Sequence, residues 1–240
     1  MQNRHILALH GFLGYGKDWY NVQKLMPRYQ WITPDLFTPT SPIGDIDLTS
    51  FNALADRLVS FIPENTQPIF VGYSLGGRIG LHLLERYPDR FKKFIFISAH
   101  PGLASETEKQ ERKANDIVWK DKLHTLPWAD FWNEWNNQDV FKLDNDRSPM
   151  RNARDVDLKK LELGLTTLSL AAQENKEAIL AKHTDKVIWA VGDKDQKFTS
   201  FAEDLKRKKI LPGYERIFNS GHRVLFDQPS AVADLIAKAT

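Results

Sequence analysis

The stretch VGYSLGGRIG, residues 71–80, decides how the rest of the chain is read. A single serine, Ser74, stands between Gly72 and Gly76. An apolar, β-rich run (PIFVGYS, 68–74) precedes it and a helical pattern (75–87) follows. So tight a strand-to-helix turn leaves no room for a side chain at either glycine, and its strain projects the Ser74 hydroxyl above the end of the strand. G-x-S-x-G arises often by chance, but between a strand and a helix it becomes a place to hold a nucleophile. Arg78 follows one helical turn later, where its charge can face the same pocket.

Outward from this point, short apolar runs alternate with helical patterns. The strand candidates are 5–10, 30–36, 68–74, 91–99, 185–192 and 213–219, several of them nearly continuous in apolar residues, as strands covered on both faces are. In the segment 48–62, Phe51, Leu54, Ala55, Leu58, Val59 and Ile62 form one apolar helical stripe, with Thr49 or Ser50 as N-cap. Further helices fit 18–27, 75–87, 199–209 and 229–239. The alternation predicts an α/β fold, a mostly parallel sheet with helices on both faces. Residues 101–183 break the rhythm. They offer no convincing strand, a capping box at Ser105-x-x-Glu108, and four of the seven tryptophans, Trp119, Trp128, Trp132 and Trp135. The expectation is a core of 1–100 and 184–240 with a helical lid, 101–183, inserted after the fourth strand over the sheet's C-terminal edge, where open α/β sheets bind ligands.

Composition narrows the partners. The chain has 240 residues, 42% hydrophobic and 27% charged, with a net charge of +2, which does not suggest nucleic acid. The one basic run, Lys206-Arg207-Lys208-Lys209, reads as the solvated last turn of a helix. The absence of cysteine excludes disulfides, zinc thiolate sites and thiol catalysis. No signal peptide or membrane-length apolar run is evident, so a cytoplasmic protein, monomeric or weakly homo-oligomeric and without a membrane partner, is expected.

A serine is a poor base or nucleophile until another group takes its proton, so a histidine and an acid must follow. Asp195, just past the strand 185–192, and His222, just past 213–219, stand in the order and at the strand ends that let them converge on Ser74. Asp193 is the rival acid, and the other six histidines, His10 among them, read as structural or surface residues. The amides of Leu75, at a helix start, and Phe12, in the loop after the first strand, are the candidate oxyanion hole. Arg78 is either an exposed helix arginine paired with an acid or a pocket cation that binds carboxylate in a bidentate fork; beside an oxyanion site, the second points to an anionic substrate.

These residues resemble a specific family, the α/β-hydrolase-fold synthases of menaquinone biosynthesis that form 2-succinyl-6-hydroxy-2,4-cyclohexadiene-1-carboxylate. The resemblance covers nearly the whole chain. LHGFLG (9–14) and GYSLGGR (72–78) match the family's loop and elbow, and Tyr73 in the elbow is counted with the substrate-binding candidates. HPGL (100–103) leads into a charged helix that places Arg112 on a family substrate-binding arginine. Trp135 and Phe141 match an aromatic pair of the lid, and a further lid arginine falls on Arg151 or Arg154. SLAAQ (169–173) and GDKDQKF (192–198) complete the series. The family's G-H-x-x-H-x-E-x-P pattern reads GHRVLFDQP here, with Leu225 and Asp227 at the second histidine and the glutamate. Membership implies a lyase that removes a ring proton from a small polycarboxylate and expels pyruvate, with no cofactor and no metal. The alternatives are an esterase or thioesterase acting on an acidic acyl substrate, which shares the triad, and a non-catalytic binding protein with this fold.

Overall fold

The computed structural model describes residues 5–40, 46–145 and 148–240; the first four residues of the expected 1–100 segment lie outside them. Six strands, β1 (His5–Leu9), β2 (Gln30–Ile32), β3 (Ile69–Tyr73), β4 (Lys93–Ile97), β5 (Val187–Gly192) and β6 (Glu215–Ile217), form one sheet in the order β2-β1-β3-β4-β5-β6. Every pairing is parallel, so the expectation of a mostly parallel sheet is met. The outer strands β2 and β6 are shorter than the runs 30–36 and 213–219 suggested. Pro34 brings no backbone N–H to extend a ladder, and β2 has a neighbour on one side alone.

Alternate residues of each strand feed opposite faces. Ile6, Ala8, Ile69, Val71, Ile95 and Ile97 pack with α1 (Tyr20–Leu25) and α10 (Pro229–Lys238), and the short α9 (Val224–Asp227) joins them. Leu7, Leu9, Phe70, Phe94, Phe96, Trp189 and Val191 face the other way, towards α2 (Phe51–Val59), α3 (Leu75–Arg86) and α8 (Gln196–Arg207). Local chemistry sets the helix starts. Ser50 caps α2 by accepting from the Ala53 amide at 3.0 Å. Asp195 caps α8 through the Phe198 amide at 3.3 Å, which starts that helix three residues before the expected 199. The run Lys206–Lys209 is solvent-exposed at the end of α8, with Arg207 and Lys208 paired to Asp204.

Between β4 and β5 the described residues contain helices and no strand: α4 (Glu106–Thr125), α5 (Trp128–Asn136), α6 (Leu158–Leu165) and α7 (Glu177–Lys182). The Ser105–Glu108 capping box opens α4. Trp119, Phe131, Trp132, Leu161 and Leu168 belong to the same buried cluster as Phe70, Phe94 and Trp189, so this segment continues the apolar core of one sheet face.

The strand-to-helix turn is tightly packed against backbone. A Cβ on Gly76 would lie 2.3 Å from the Leu9 carbonyl oxygen, and one on Gly72 would lie 2.6 Å from the Gly76 carbonyl carbon. Both obstacles are backbone and cannot swing aside. Gly76→Ala is therefore expected to cost about 3 kcal/mol or more, or to prevent folding; urea unfolding checks this, and a wild-type midpoint would mean the turn relaxes freely.

Candidate active site

Ser74 follows β3 and precedes α3 with φ 52° and ψ −112°, a conformation that non-glycine residues rarely adopt. Its amide donates to the Ile97 carbonyl (2.9 Å) and its carbonyl accepts from the Arg78 amide (3.1 Å), so the strained residue is held from both sides. The loops after β5 and β6 bring in its partners. His222 Nε2 stands 3.3 Å from Ser74 Oγ, and His222 Nδ1 stands 2.6 Å from Asp195 Oδ2. Asp195 and His222 are both buried. Asp193 does something else: its Oδ1 accepts from the Ser220 amide (3.1 Å), bracing the loop that carries His222. Asp227 braces it too, accepting from the Gly221 amide at 2.8 Å and from the Asn145 amide at 3.1 Å. The aspartate at the family's glutamate position thus supports the histidine loop, while Leu225 is buried in the apolar core.

Among the described residues, neither the Phe12 nor the Leu75 amide donates to another protein group, and Leu75 opens α3, where the first amides of a helix are free. The loop after β1 lies against the serine: a Cβ on Gly11 would come 2.8 Å from the Tyr73 ring and 3.4 Å from Ser74 Cβ. His10 holds that loop. It lies against the Gly11 carbonyl through Nδ1 (2.7 Å) and accepts from the Leu36 amide through Nε2 (3.0 Å). Burial pulls its pKa down, which keeps it neutral and suits this structural role.

A cavity of about 720 Å³ opens beside Ser74. Phe12, Leu75, Arg78, Arg112, Trp135, Phe141 and His222 all line it. Arg78 donates to the Leu168 carbonyl at 3.0 Å and to Gln173 Oε1 at 3.4 Å. No carboxylate pairs with it among the described residues, so the exposed ion pair weighed above is not what the fold forms. Burial, and then the nearby Arg112, draw its pKa down to about 9, leaving it charged at neutral pH. Arg112 is held by Asp116, with Nε 2.9 Å from both carboxylate oxygens.

Two residues that sequence reasoning did not single out line the same cavity. Lys197, two residues after Asp195, has no carboxylate partner among the described residues, and its pKa is lowered by burial and then by Arg112. His100 is pushed down to about 3 by burial and then by Arg78, and its Nδ1 accepts from the Gly102 amide at 3.0 Å. Both lie inside the quoted stretches GDKDQKF and HPGL, so the signal was present, but nothing in the spacing showed which way their side chains turn.

A smaller cleft, which shares Phe12, Ser74, Trp135 and Phe141 with this cavity, is also lined by Tyr73, Arg151 and Arg223. Tyr73 is buried, and that burial raises its phenol pKa well above the ordinary value. Arg151 is buried there, ion-paired with Asp18, donating to the Leu13 carbonyl (3.2 Å) and set over the Tyr15 ring. Arg154 is exposed, beside Tyr15, Lys17 and Thr38 in a separate surface groove. Of the two candidate lid arginines, Arg151 is the one beside the serine.

Comparison with known proteins agrees with this architecture. The profile of the alpha/beta hydrolase fold matches residues 4–229, and the chain belongs to that family. Among curated relatives it is 29% identical over 242 residues to the 2-succinyl-6-hydroxy-2,4-cyclohexadiene-1-carboxylate synthase of Enterobacter sp. (strain 638), covering 97% of this chain and 90% of that one. It is 28% identical to the synthase of the same name from Klebsiella pneumoniae subsp. pneumoniae, over 97% and 92% of the two chains. The fold superposes on MenH from S. aureus with a TM-score of 0.84 at 21% identity, covering 100% of this chain and 94% of that one. It also superposes on a malate-bound thermophilic esterase from Thermogutta terrifontis, with a TM-score of 0.72 at 17% identity over 99% and 89%. No helix of the described residues is long and apolar enough to cross a membrane.

Asp227→Ala would leave the Gly221 and Asn145 amides without their acceptor. A stability loss of roughly 1–3 kcal/mol is expected, read by urea unfolding, together with reduced turnover of the folded protein.

Proposed function

We propose that this chain eliminates pyruvate from 2-succinyl-5-enolpyruvyl-6-hydroxy-3-cyclohexene-1-carboxylate, giving 2-succinyl-6-hydroxy-2,4-cyclohexadiene-1-carboxylate. The observation that carries this reading is a cavity beside a histidine-linked serine in which, among the described residues, Arg78 and Lys197 have no carboxylate of their own. Unpaired cations that lose water are costly, as at half-buried Arg78, and a polycarboxylate ligand offsets that cost. A site for neutral esters has no use for them. The names of the relatives point to the same chemistry.

In this reading Ser74 Oγ accepts the ring proton as its own proton passes to His222 Nε2, and Asp195 holds the imidazole by Nδ1. The electrons of the broken C–H bond form the second ring double bond, and the ring C–O bond breaks, releasing the enolate of pyruvate. That enolate takes up a proton and becomes pyruvate. The Phe12 and Leu75 amides hold the negative charge that gathers on a substrate carbonyl oxygen during proton removal. Arg78, Arg112 and Arg151 hold carboxylates, Tyr73, Trp135 and Phe141 shape the cavity, and residues 101–183 form its lid. Arg154 stands too far outside to join them.

Serine esterase action on an acidic acyl substrate is the second reading. The complete Ser74–His222–Asp195 relay favours it, because the same relay serves acyl transfer. Pyruvate release from the enolpyruvyl substrate, set against hydrolysis of a p-nitrophenyl ester, separates the two. Ester turnover without pyruvate release would select the esterase.

Ser74→Ala is expected to fold normally and to lose a factor on the order of 10³ in turnover. Near-normal pyruvate release by the folded variant would remove Ser74 from the proton path.

Arg78→Ala should lower kcat/KM by roughly 2–5 kcal/mol, the range for losing one partner of a buried charge pair. Arg78→Lys should recover part of this, since it keeps the charge and loses the fork. Melting temperatures of the same variants separate this effect from the loss of the bonds to Leu168 and Gln173. Wild-type kinetics in Arg78→Ala would dismiss the anion-binding role.

A further inference from the structure

Arg223 directly follows the triad histidine; its carbonyl accepts from the Phe226 and Asp227 amides, while its side chain contacts the inserted segment. Its backbone amide donates to Asp144 Oδ1 at 3.1 Å, and its Nη1 lies 3.4 Å from Asp144 Oδ2. Its Nη2 donates to Asn136 Oδ1, and Asn136 is the last residue of α5. Its guanidinium sits 3.8 Å from the centre of the Phe141 ring, a cation–π contact. The Phe141 ring in turn packs edge-on against the His222 imidazole, with 5.7 Å between ring centres. One side chain therefore touches the end of α5, Phe141 in the turn 139–141, and Asp144.

The approach is close on the backbone as well. A Cβ on Gly221 would fall 2.3 Å from Asp144 Oδ1 and 2.7 Å from the Asp144 amide nitrogen. The neighbouring Asn145 donates its amide to Asp227 and its side chain to the Asn219 carbonyl, and Lys194 bonds to both asparagines, at 2.8 and 2.7 Å. The Arg223 and Asp144 side chains are 5% and 1% exposed. An ion pair so buried contributes little net stability compared with an apolar pair of similar shape. Its cost is more readily understood if it fixes geometry.

We propose that Arg223 is a positioning residue for His222, clamping the Asp144 turn and Phe141 against the imidazole so that Nε2 stays aimed at Ser74. It touches no reacting atom. Its effect passes through Phe141 and through the main chain it shares with His222, and it rests on the triad reading given above. Misplacing a catalytic group by about 1 Å costs on the order of 100-fold in rate while leaving substrate contacts elsewhere intact.

The test uses Arg223→Met, which keeps much of the side-chain length and none of the charge, Asp144→Asn, and the double variant. Pyruvate release is measured well below each melting temperature and normalised to folded protein. Arg223→Met is expected to lose about 10- to 100-fold in kcat with KM changed less than about three-fold, and to melt lower because Asp144 is stranded. The double variant removes the stranded carboxylate and should regain melting temperature without regaining kcat. A merely structural arginine predicts that kcat per folded molecule returns with stability. Wild-type kcat in the folded double variant, or a loss lying wholly in KM, overturns the proposal. Should Arg223→Met fail to fold, the double variant and Arg223→Lys carry the same comparison, the lysine regaining part of kcat if the clamp operates. Ser74→Ala run alongside keeps the two ideas apart: an active Ser74→Ala enzyme sinks the triad reading, whereas an inactive one beside a fully active Arg223 variant sinks the clamp alone.

Discussion

Ser74 is held at φ 52° by a hydrogen bond from its amide to β4 and another from the Arg78 amide to its carbonyl, in a turn with no space for a β-carbon on either flanking glycine. Backbone strain of this kind costs on the order of 1–3 kcal/mol and persists where the surroundings over-determine it. Here they do. The Leu9 carbonyl at the end of β1 blocks one side, and the strand register from β1 through β3 to β4 sets where that carbonyl stands. The strain projects the hydroxyl above the sheet edge, and the same turn delivers the free Leu75 amide and the Arg78 side chain to one cavity. The projecting hydroxyl, the free amide and the cation all follow from one backbone conformation.

The electrostatics of the cavity run against the usual economy of a protein interior. His100 is kept neutral by burial and by Arg78, so it adds no charge. Arg112 is satisfied by Asp116, while Arg78 is anchored by the uncharged Leu168 carbonyl and Gln173 amide. Anchoring a cation through neutral acceptors orients it without cancelling its charge, and the charge stays available to a ligand. The anchoring residues belong to the inserted segment, so that segment orients the pocket cation as well as covering the pocket.

The inserted segment and the sheet are one packed body on this face. Trp119 and Phe131 share a buried cluster with strand side chains, and the Trp135 ring centre lies 4.7 Å from that of Phe12 in the loop after β1. The stretch Asp144–Asn145 is bonded into the loop bearing His222. The segment is thus joined directly to the loop that carries the imidazole.

Much of this was legible in the sequence because it depends on local rules. Alternating apolar runs and helical stripes specify the order of elements, G-x-S-x-G between strand and helix specifies the elbow, and the strand ends at 192 and 217 point Asp195 and His222 towards it. Where local rules left two answers, geometry chose. Asp195 meets the imidazole and Asp193 braces its loop; Arg151 lies beside the serine and Arg154 on the surface; Ser50 caps α2. Spacing did not show which way the Lys197 and His100 side chains turn, and the contacts of Arg223 were out of reach because spacing does not say how an inserted segment folds back. Asn136 and Arg223 stand 87 residues apart in the chain and are joined only by that return. Sequence by itself determined the elements and the chemistry they carry, since both are encoded within a few residues. The tertiary structure alone decided which charges face the cavity and which side chains pack around His222, since those depend on contacts between residues far apart in the sequence.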